Sequence, residues 1–339
     1  MKKFKWCVIG AGGIADRRTI PGILGDKKSQ LVAVMDIAAP VVEKLGAKYG
    51  VPAFTDEKKM LESVDCDAVY IGTPVFAHCE QARAALDAGK AVFTEKPIGL
   101  DSKSAAALVS AFKKKRQHLG VGYMMKYHNL HEKARSLVAA KTIGKVVDVR
   151  AQFTCWYPDI EGAWRQTRRL GGGGALMDLG VHCIELIEHV LDEEIVDVSG
   201  FYSTQSFRYE VEDSAIVMFR TVSGTLGHVD VNFNVPDRAS EAKFELYGTE
   251  GYIICDGTLA QEETGTLRVL RSPQGDYEAG QKRVFSRPKL YSGAHGNLYT
   301  KQIVAFRKTV QSGIPDYTFA DRAVRVQKIV DAVYRQKKH

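Results

Sequence analysis

The sequence predicts an α/β chain: a doubly wound parallel sheet, followed by an α+β domain with a large, mostly antiparallel open sheet. Three observations carry that expectation. An apolar run, Trp6-Cys7-Val8-Ile9, ends in Gly10-Ala11-Gly12-Gly13-Ile14-Ala15, and a second, Leu31 to Met35, stops at Asp36. Strand and helix patterns then alternate, with near-continuous apolar strands, to about residue 125. Beyond that point the strands follow one another with few helices between them, as in an antiparallel sheet.

The first run is a G-x-G-x-x-A fingerprint between a strand and a helix, with an acid at the end of the next strand. Gly10 permits the tight turn, Gly12 lets a diphosphate approach the backbone, and Ala15 is small enough for the helix to pack on the strand. Gly13 and Ile14 open that helix, whose N-terminus offers free N–H groups and partial positive charge. Asp36 is expected to accept hydrogen bonds from the adenosine ribose and to repel a 2′-phosphate. No Lys or Arg follows it in Ile37-Ala38-Ala39-Pro40. NAD is therefore expected rather than NADP; the competing reading is that a basic residue from elsewhere binds the phosphate. This makes residues 1–125 a Rossmann-type NAD(P)-binding domain.

Within it, Val41 to Tyr49 reads as a helix, Ala68 to Gly72 as a buried strand, and Phe76 to Ala88 as a helix stopped by Gly89. Ala91 to Thr94 is the next strand. Asp101 caps a helix ending near Lys115, and Leu119 to Met124 is another strand. Residues 126–339 read as a substrate-binding and oligomerisation domain. Helix Leu130 to Ala140 leads to strands Val146 to Thr154, Ile195 to Thr204, Ser214 to Thr221, Thr225 to Asn234, Ala242 to Tyr247 and Tyr252 to Cys255. Ser223-Gly224 and Gly248 to Gly251 supply hairpin turns. Ala215 to Phe219 reads as apolar on both faces, which predicts a homodimer or homotetramer formed through the open sheet. Helices at Leu298 to Val310 and Ala320 to Tyr334 end the chain, and Glu262 to Pro288 is the expected mobile segment.

At 339 residues with 45% hydrophobic and 26% charged content, the chain is of ordinary globular composition. No apolar stretch approaches the roughly 20 residues of a membrane span, and no leader precedes the first strand, so a cytoplasmic protein without membrane contact is expected. The formal charge of +7 lies largely in clusters such as Lys113-Lys114-Lys115-Arg116 at a helix end. That is a solvated face, and no nucleic-acid partner is expected. The six cysteines form no C-x-x-C pair and read as reduced, mostly buried residues.

Two further motifs carry chemistry. In Thr94-Glu95-Lys96-Pro97, at the end of a strand, Lys96 either donates to a substrate oxygen or is an ordinary exposed lysine in a turn. In Gly171-Gly172-Gly173-Gly174-Ala175-Leu176-Met177-Asp178-Leu179-Gly180-Val181-His182 a helix begins near Ala175, and Asp178 and His182 lie one helical turn apart. An imidazole there suits removal of a hydroxyl proton. A solvated Asp–His pair is the bland alternative. A metal site with Glu185 and His189 is another, but no second carboxylate–histidine cluster supports it and no metal is expected.

Gly10-x-Gly12-x-x-Ala15, Thr73-Pro74-x-x-x-His78, Glu95-Lys96-Pro97 and Gly-Gly-Ala-Leu-x-Asp178-x-Gly-x-His182-x-x-Glu185 resemble the glucose–fructose oxidoreductase / inositol dehydrogenase (Gfo/Idh/MocA) family. The resemblance covers nearly the whole chain, including Glu212-Asp213-Ser214-Ala215 and Tyr247-Gly248-Thr249-Glu250-Gly251. It implies a nicotinamide-dependent oxidoreductase acting on a sugar, anhydrosugar or inositol-like polyol. It puts Lys96, Asp178 and His182 on the catalytic positions, with His182 as acid/base. It also implies that Thr73, Pro74, His78 and Glu95 belong to the cofactor site, and that Trp164 and Arg165 lie near nicotinamide or substrate. Where many members carry Arg after the sixth strand this chain has Lys126, in Tyr123-Met124-Met125-Lys126-Tyr127-His128. A point charge there replaces a planar fork. Tyr123 and Lys126 are expected at the substrate; Tyr127 and His128 either reach its hydroxyls or pack. Tyr157, Asp159 and Glu161 precede Trp164 in an expected substrate lid, with Tyr157 touching substrate. Two other functions remain open at this level: NAD-dependent glycoside hydrolysis on the same fold, and a non-enzymatic NAD-sensing regulator.

Overall fold

The computed structural model describes residues 2–261, 263–273, 275, 279, 287–294 and 296–336. In chain order, β1 (Phe4–Ile9), α1 (Ile20–Gly25), β2 (Ser29–Met35), α2 (Ala39–Tyr49), β3 (Ala53–Phe54), α3 (Glu57–Ser63), β4 (Ala68–Ile71), α4 (Val75–Asp87), β5 (Ala91–Thr94), α5 (Ser102–Lys115) and β6 (Leu119–Val121) alternate. They are followed by α6 (Asn129–Ala139), β7 (Val146–Thr154), α7 (Arg168–Gly171), α8 (Val181–Leu191), β8 (Ile195–Ser203), β9 (Ser214–Thr221), β10 (Leu226–Asn232), β11 (Lys243–Gly248), β12 (Gly251–Asp256), β13 (Thr266–Arg271), β14 (Lys289–Ser292), α9 (Leu298–Ser312) and α10 (Thr318–Arg335).

The chain divides into two compact units. One holds Met1–Met124, Glu161–Gly173 and Asn297–Asp331; the other holds Met125–Ile160, Gly174–Gly296 and Ala332–His339. A single cut after residue 125 therefore misassigns two segments. The reason is visible for α9. Its Arg307 Nε lies 2.6 Å from Asp26 Oδ2 with both side chains buried, and its Phe306 ring packs 5.2 Å from that of Phe93.

In the first unit six strands run in the order β3-β2-β1-β4-β5-β6, and every neighbouring pair is parallel. The doubly wound sheet expected from the sequence is present. Trp6, Val8, Tyr70, Phe93, Ile303 and Phe306 belong to its core. The sequence signals for α5 also hold: the Asp101 carboxylate accepts the Ser104 amide at 2.7 Å, and Lys113, Lys114 and Lys115 occupy the last turn. The strand order reverses between β1 and β4, so the loops leaving their C-terminal ends face a common crevice, where ligands bind in such sheets.

The second unit is built on eight strands in the order β14-β13-β12-β11-β7-β10-β9-β8. It is mixed, because β7 and β10 pair in parallel while the remaining neighbours are antiparallel. Val149, Ala151, Val217, Val229, Phe244 and Ile253 are buried on one face. β9 is apolar on both faces, as its composition suggested: Ala215, Val217 and Phe219 are buried, whereas Ile216 and Met218 are 52% and 51% exposed, alongside Phe201 and Leu226. Thr266–Arg271, within the segment expected to be mobile, forms β13 and pairs with β12 and β14. The remainder of Glu262 to Pro288 lies largely outside the described residues.

By length and composition the stretch Arg168–Leu191 passes for a membrane span, although the sequence reading found none; 83% of its apolar window is buried inside the fold. Its hydropathy is that of a core helix. Two arginines and five glycines lie within this stretch.

Candidate functional site

The fingerprint loop leaves β1 at Gly10, whose φ of +72° favours glycine. A Cβ there would stand 2.6 Å from the Thr73 amide, so only glycine lets the loops after β1 and β4 touch. Asp36, just past β2, is held across the loop: Oδ2 accepts the Gly12 amide at 3.2 Å and Oδ1 the Ala38 amide at 3.1 Å. Ala15 is fully buried, and its Cβ would lie 3.4 Å from a Cβ placed on Gly72. The tight turn at Gly10 and the close packing at Ala15 are those the motif predicted. The helix, however, starts with a π-wound turn, Ala15–Thr19, before α1 begins at Ile20.

A dinucleotide fits this loop. Gly13 has φ +56° and open space where a Cβ would be. Ile14 opens the helical turn, whose first amides have no intrahelical acceptor. Asp36 is half-buried beside them, as a ribose-binding acid requires. A cation also stands at the loop: Arg17 Nε donates to Gly13 O at 3.2 Å.

β5 delivers Glu95-Lys96-Pro97 to the same edge of this sheet, with a cis Lys96–Pro97 bond. Lys96 is half-buried rather than freely solvated. Behind it runs a buried chain: Thr19 Oγ1 donates to Tyr70 Oη at 2.9 Å, and Tyr70 donates to Glu95 Oε1 at 2.7 Å. The Lys96 amide donates to Glu95 Oε2 at 3.3 Å. Burial pushes the Glu95 carboxyl above its ordinary range, against the opposing pull of Tyr70, Lys96 and Arg165.

His78 is buried, and both ring nitrogens approach backbone carbonyls: Nδ1 lies 2.8 Å from Pro97 O and Nε2 2.8 Å from Thr73 O. His78, expected at the cofactor site, braces these two loops through its ring. Burial pulls its pKa down, and Lys96 and Arg165 add to that, against the two carbonyls. Thr73 Oγ1 is engaged with Gln81 Oε1 at 2.6 Å, and Pro74 caps α4. Trp164 and Arg165 sit in a 3-10 turn of this unit. The Arg165 guanidinium lies 4.3 Å from the Trp164 ring centroid, and its charge acts on Glu95 and His78. Tyr123 is fully buried in the same unit.

In the second unit a π-wound turn, Leu176–Gly180, runs directly into α8. The sequence suggested plain α spacing between Asp178 and His182. The wider turn is accommodated at Gly180, where a Cβ would lie 2.6 Å from the Leu176 side chain. Asp178 is half-buried and His182 is 6% exposed, which removes the solvated-pair reading. The Phe153 ring lies 6.5 Å from that of His182.

Lys126, expected at the substrate, has its ammonium 3.5 Å from Glu185 Oε1, with both side chains almost wholly buried. Its charge is answered by the helix that carries His182. His189, the other member of the imagined metal set, pairs with Glu132 at 2.7 Å. Among the described residues no group of three His, Cys, Asp or Glu is arranged to hold a metal. His128 packs: its Nδ1 accepts the Leu130 amide at 3.2 Å, capping α6. The Tyr157 ring lies 5.0 Å from that of Phe233, tilted against it.

Sequence reasoning assigned no role to Glu212, which proves to hold the start of the Asp178 turn. Its Oε1 accepts the Gly174 and Leu176 amides, each at 3.0 Å. Its mark in the sequence is the Glu212-Asp213-Ser214-Ala215 stretch shared with the family, which assigns it no role. Thr19 and Tyr70 were missed because each reads as an ordinary buried residue.

Comparison with known proteins bears on the family and the fold. A family model described as an oxidoreductase family, NAD-binding Rossmann fold, matches residues 4–123, and one described as the GFO/IDH/MocA C-terminal domain matches residues 131–254. The chain is 27% identical over 320 residues to 1,5-anhydro-D-fructose reductase of Ensifer adhaerens, covering 94% of this chain and 91% of that protein. The crystal structure of GenD2 from gentamicin A biosynthesis, in complex with NAD, superposes with a TM-score of 0.83 at 26% identity over 99% of this chain and 94% of that one. KijD10, a 3-ketoreductase from Actinomadura kijaniata in complex with NADP and TDP-benzene, shares the fold, with a TM-score of 0.84 at 23% identity over 98% of this chain and 97% of that one.

Proposed function

The chain belongs to the Gfo/Idh/MocA oxidoreductase family, and on that footing we propose that it is a nicotinamide-dependent oxidoreductase acting on a secondary alcohol or hemiacetal carbon of a sugar, anhydrosugar or polyol. The observation that carries this reading lies in one sheet. The Gly10–Gly13 loop, the Thr73–Pro74 loop and the Glu95-Lys96 turn follow β1, β4 and β5, which are neighbours. A dinucleotide loop and a half-buried ammonium therefore share one edge. Relatives named for reduction of an anhydrosugar and a deoxysugar support the substrate class.

NAD is the proposed cofactor, because the Asp36 carboxylate is fixed over the loop by two amides and disfavours a 2′-phosphate. Gly10, Gly12, Gly13 and Ile14 would hold the diphosphate, Asp36 the ribose, and Thr73, Pro74 and Trp164 would border the nicotinamide. When bound, the nicotinamide would supply hydride acceptance or donation at the substrate carbon. His182 takes the hydroxyl proton, Lys96 donates a hydrogen bond to the oxygen as charge develops on it, and Asp178 orients the neighbouring hydroxyl. Tyr157 borders the substrate. Glu185 and Lys126 hold the His182 helix and its local charge. The free cysteines suit a reducing cytoplasm, and the exposed apolar face of the large sheet suits a homodimer or homotetramer.

The test is NADH absorbance after mixing the protein with NAD and a panel of inositols, aldoses and anhydrosugars. Reduction with one stereochemical subset is the expected result. Silence with every substrate and both cofactors, in both directions, while NAD binding is intact, would sink the reading.

A further inference from the structure

We infer that the dipeptide Glu212–Asp213 is a two-way positioning element, in which Glu212 sets the helix that carries Asp178 and His182 while Asp213 sets an aromatic loop that receives a ring of the substrate. The inference deepens the function proposed above and rests on it for its kinetic half.

Glu212 collects three successive amides. Its Oε1 accepts Gly174 and Leu176 at 3.0 Å each, and its backbone oxygen accepts Ala175 at 3.0 Å. The approach is so close that a Cβ on Gly174 would stand 1.8 Å from that oxygen. The first amides of a helix lack intrahelical partners, so a buried acceptor here decides where the helix begins and how it is turned. Asp178 is one step away, since its amide donates to Gly174 O at 2.9 Å. The far end of the chain takes part: the Tyr334 hydroxyl donates to Glu212 Oε1 at 2.6 Å.

Asp213 repeats the pattern toward another segment. Its carboxylate accepts the amides of Gln205 at 2.9 Å, Ser206 at 2.7 Å and Phe207 at 3.1 Å. The Ser214 hydroxyl adds a bond at 2.8 Å, and the Asn234 amide one at 3.2 Å. Burial acts to raise its pKa, but these donors outweigh that and hold the carboxyl below its ordinary range.

The loop so fixed carries Phe207, whose ring meets Trp156 at 5.2 Å and Tyr209 at 5.4 Å. Tyr209 in turn donates to Tyr157 O at 3.2 Å. Trp156 is 46% exposed, so this aromatic cluster keeps an open apolar surface. It follows β7, whose Phe153 lies against His182. Rigid aromatic faces bury the C–H side of a sugar ring at small entropic cost.

The two carboxylates therefore govern different quantities. Helix orientation acts on the transition state and appears in kcat; the aromatic wall acts on binding and appears in KM. The experiment compares Glu212→Ala, Glu212→Gln, Tyr334→Phe and Asp213→Asn with the unaltered protein, by amide hydrogen exchange and by steady-state kinetics. In Glu212→Ala, exchange at residues 174–178 accelerates and kcat falls about tenfold or more with KM nearly unchanged. Glu212→Gln, which keeps an acceptor oxygen, recovers most of the loss, and Tyr334→Phe gives a smaller loss of the same kind. In Asp213→Asn, exchange at 205–207 accelerates and KM rises about fivefold or more with kcat nearly unchanged. Tyr334→Phe removes only a hydroxyl, so the test survives if Glu212→Ala does not fold. Unchanged exchange in both segments overturns the inference, as does equal loss of kcat and KM in every variant. If exchange divides as stated but the unaltered protein turns over no alcohol, the positioning roles stand and the proposed function falls.

Discussion

Tyr70 donates its hydroxyl hydrogen to Glu95 Oε1 at 2.7 Å, and the amide of Lys96 closes on the same carboxyl from the other side. The lysine is thus mounted on a buried acid rather than on a solvated turn. Because burial raises the Glu95 pKa, its folded-state value lies above the unfolded one. Its contribution to stability is complete below the ordinary carboxylate range and is lost as pH rises through the raised value. Denaturant titrations of the protein and of Glu95→Gln, run from pH 4 to pH 7, should show the variant gaining relative stability as pH rises. A difference that is flat across that window, or grows toward acid, would refute the sign.

Lys96 itself should act on chemistry. Lys96→Ala is expected to depress turnover by about a hundredfold or more, the scale of a lost transition-state donor, with far less change in NAD affinity. Fluorescence titration of the cofactor beside steady-state kinetics separates the two. Equal losses would assign Lys96 to cofactor binding.

The proposed preference for NAD rests on Asp36. Asp36→Ala, with the Gly12 amide left unanswered, should weaken NAD about tenfold and narrow the gap to NADP. Adding Arg17→Ala tests the cation at the loop. If NADP use survives both changes undiminished, the phosphate is held by other groups.

The buried Asp26–Arg307 pair should dominate the attachment of α9. Arg307→Ala leaves a buried carboxylate unanswered and is expected to cost about 3 to 5 kcal/mol in urea denaturation. Replacing both partners by apolar residues should recover much of that loss, which a simple packing defect would not do.

The exposed face of β9 should carry self-association. Ile216→Asp together with Met218→Asp is expected to lower the mass seen by light scattering while leaving the fold intact by circular dichroism. An unchanged mass would place any interface elsewhere.

Local chemistry made the first unit legible before any coordinate was known. A fingerprint is a set of neighbours in sequence, so Gly10, Gly12 and Asp36 could be assigned to one loop from their spacing and from what each side chain lacks or carries. The Asp101 cap and the terminal lysines of α5 were legible for the same reason. Strand type, helix ends and the presence of two sheets follow from periodicity and punctuation, which are also local.

Partnerships across long stretches of chain left no such trace. Nothing near Asp26 announces Arg307, nothing near Glu212 announces Tyr334, and the return of α9 to the first sheet followed from neither. The winding of the two π-turns is decided by packing against Gly180 and around Ala15, which composition does not show. The partners of His78 and Lys126, two carbonyls and Glu185, were likewise invisible in the sequence. A polar group leaving water must find a partner wherever the fold supplies one. By itself the sequence determined the elements, the dinucleotide loop and the candidate reacting groups. Which buried charges answer one another was decided only by the tertiary structure, because that pairing is made in space and not along the chain.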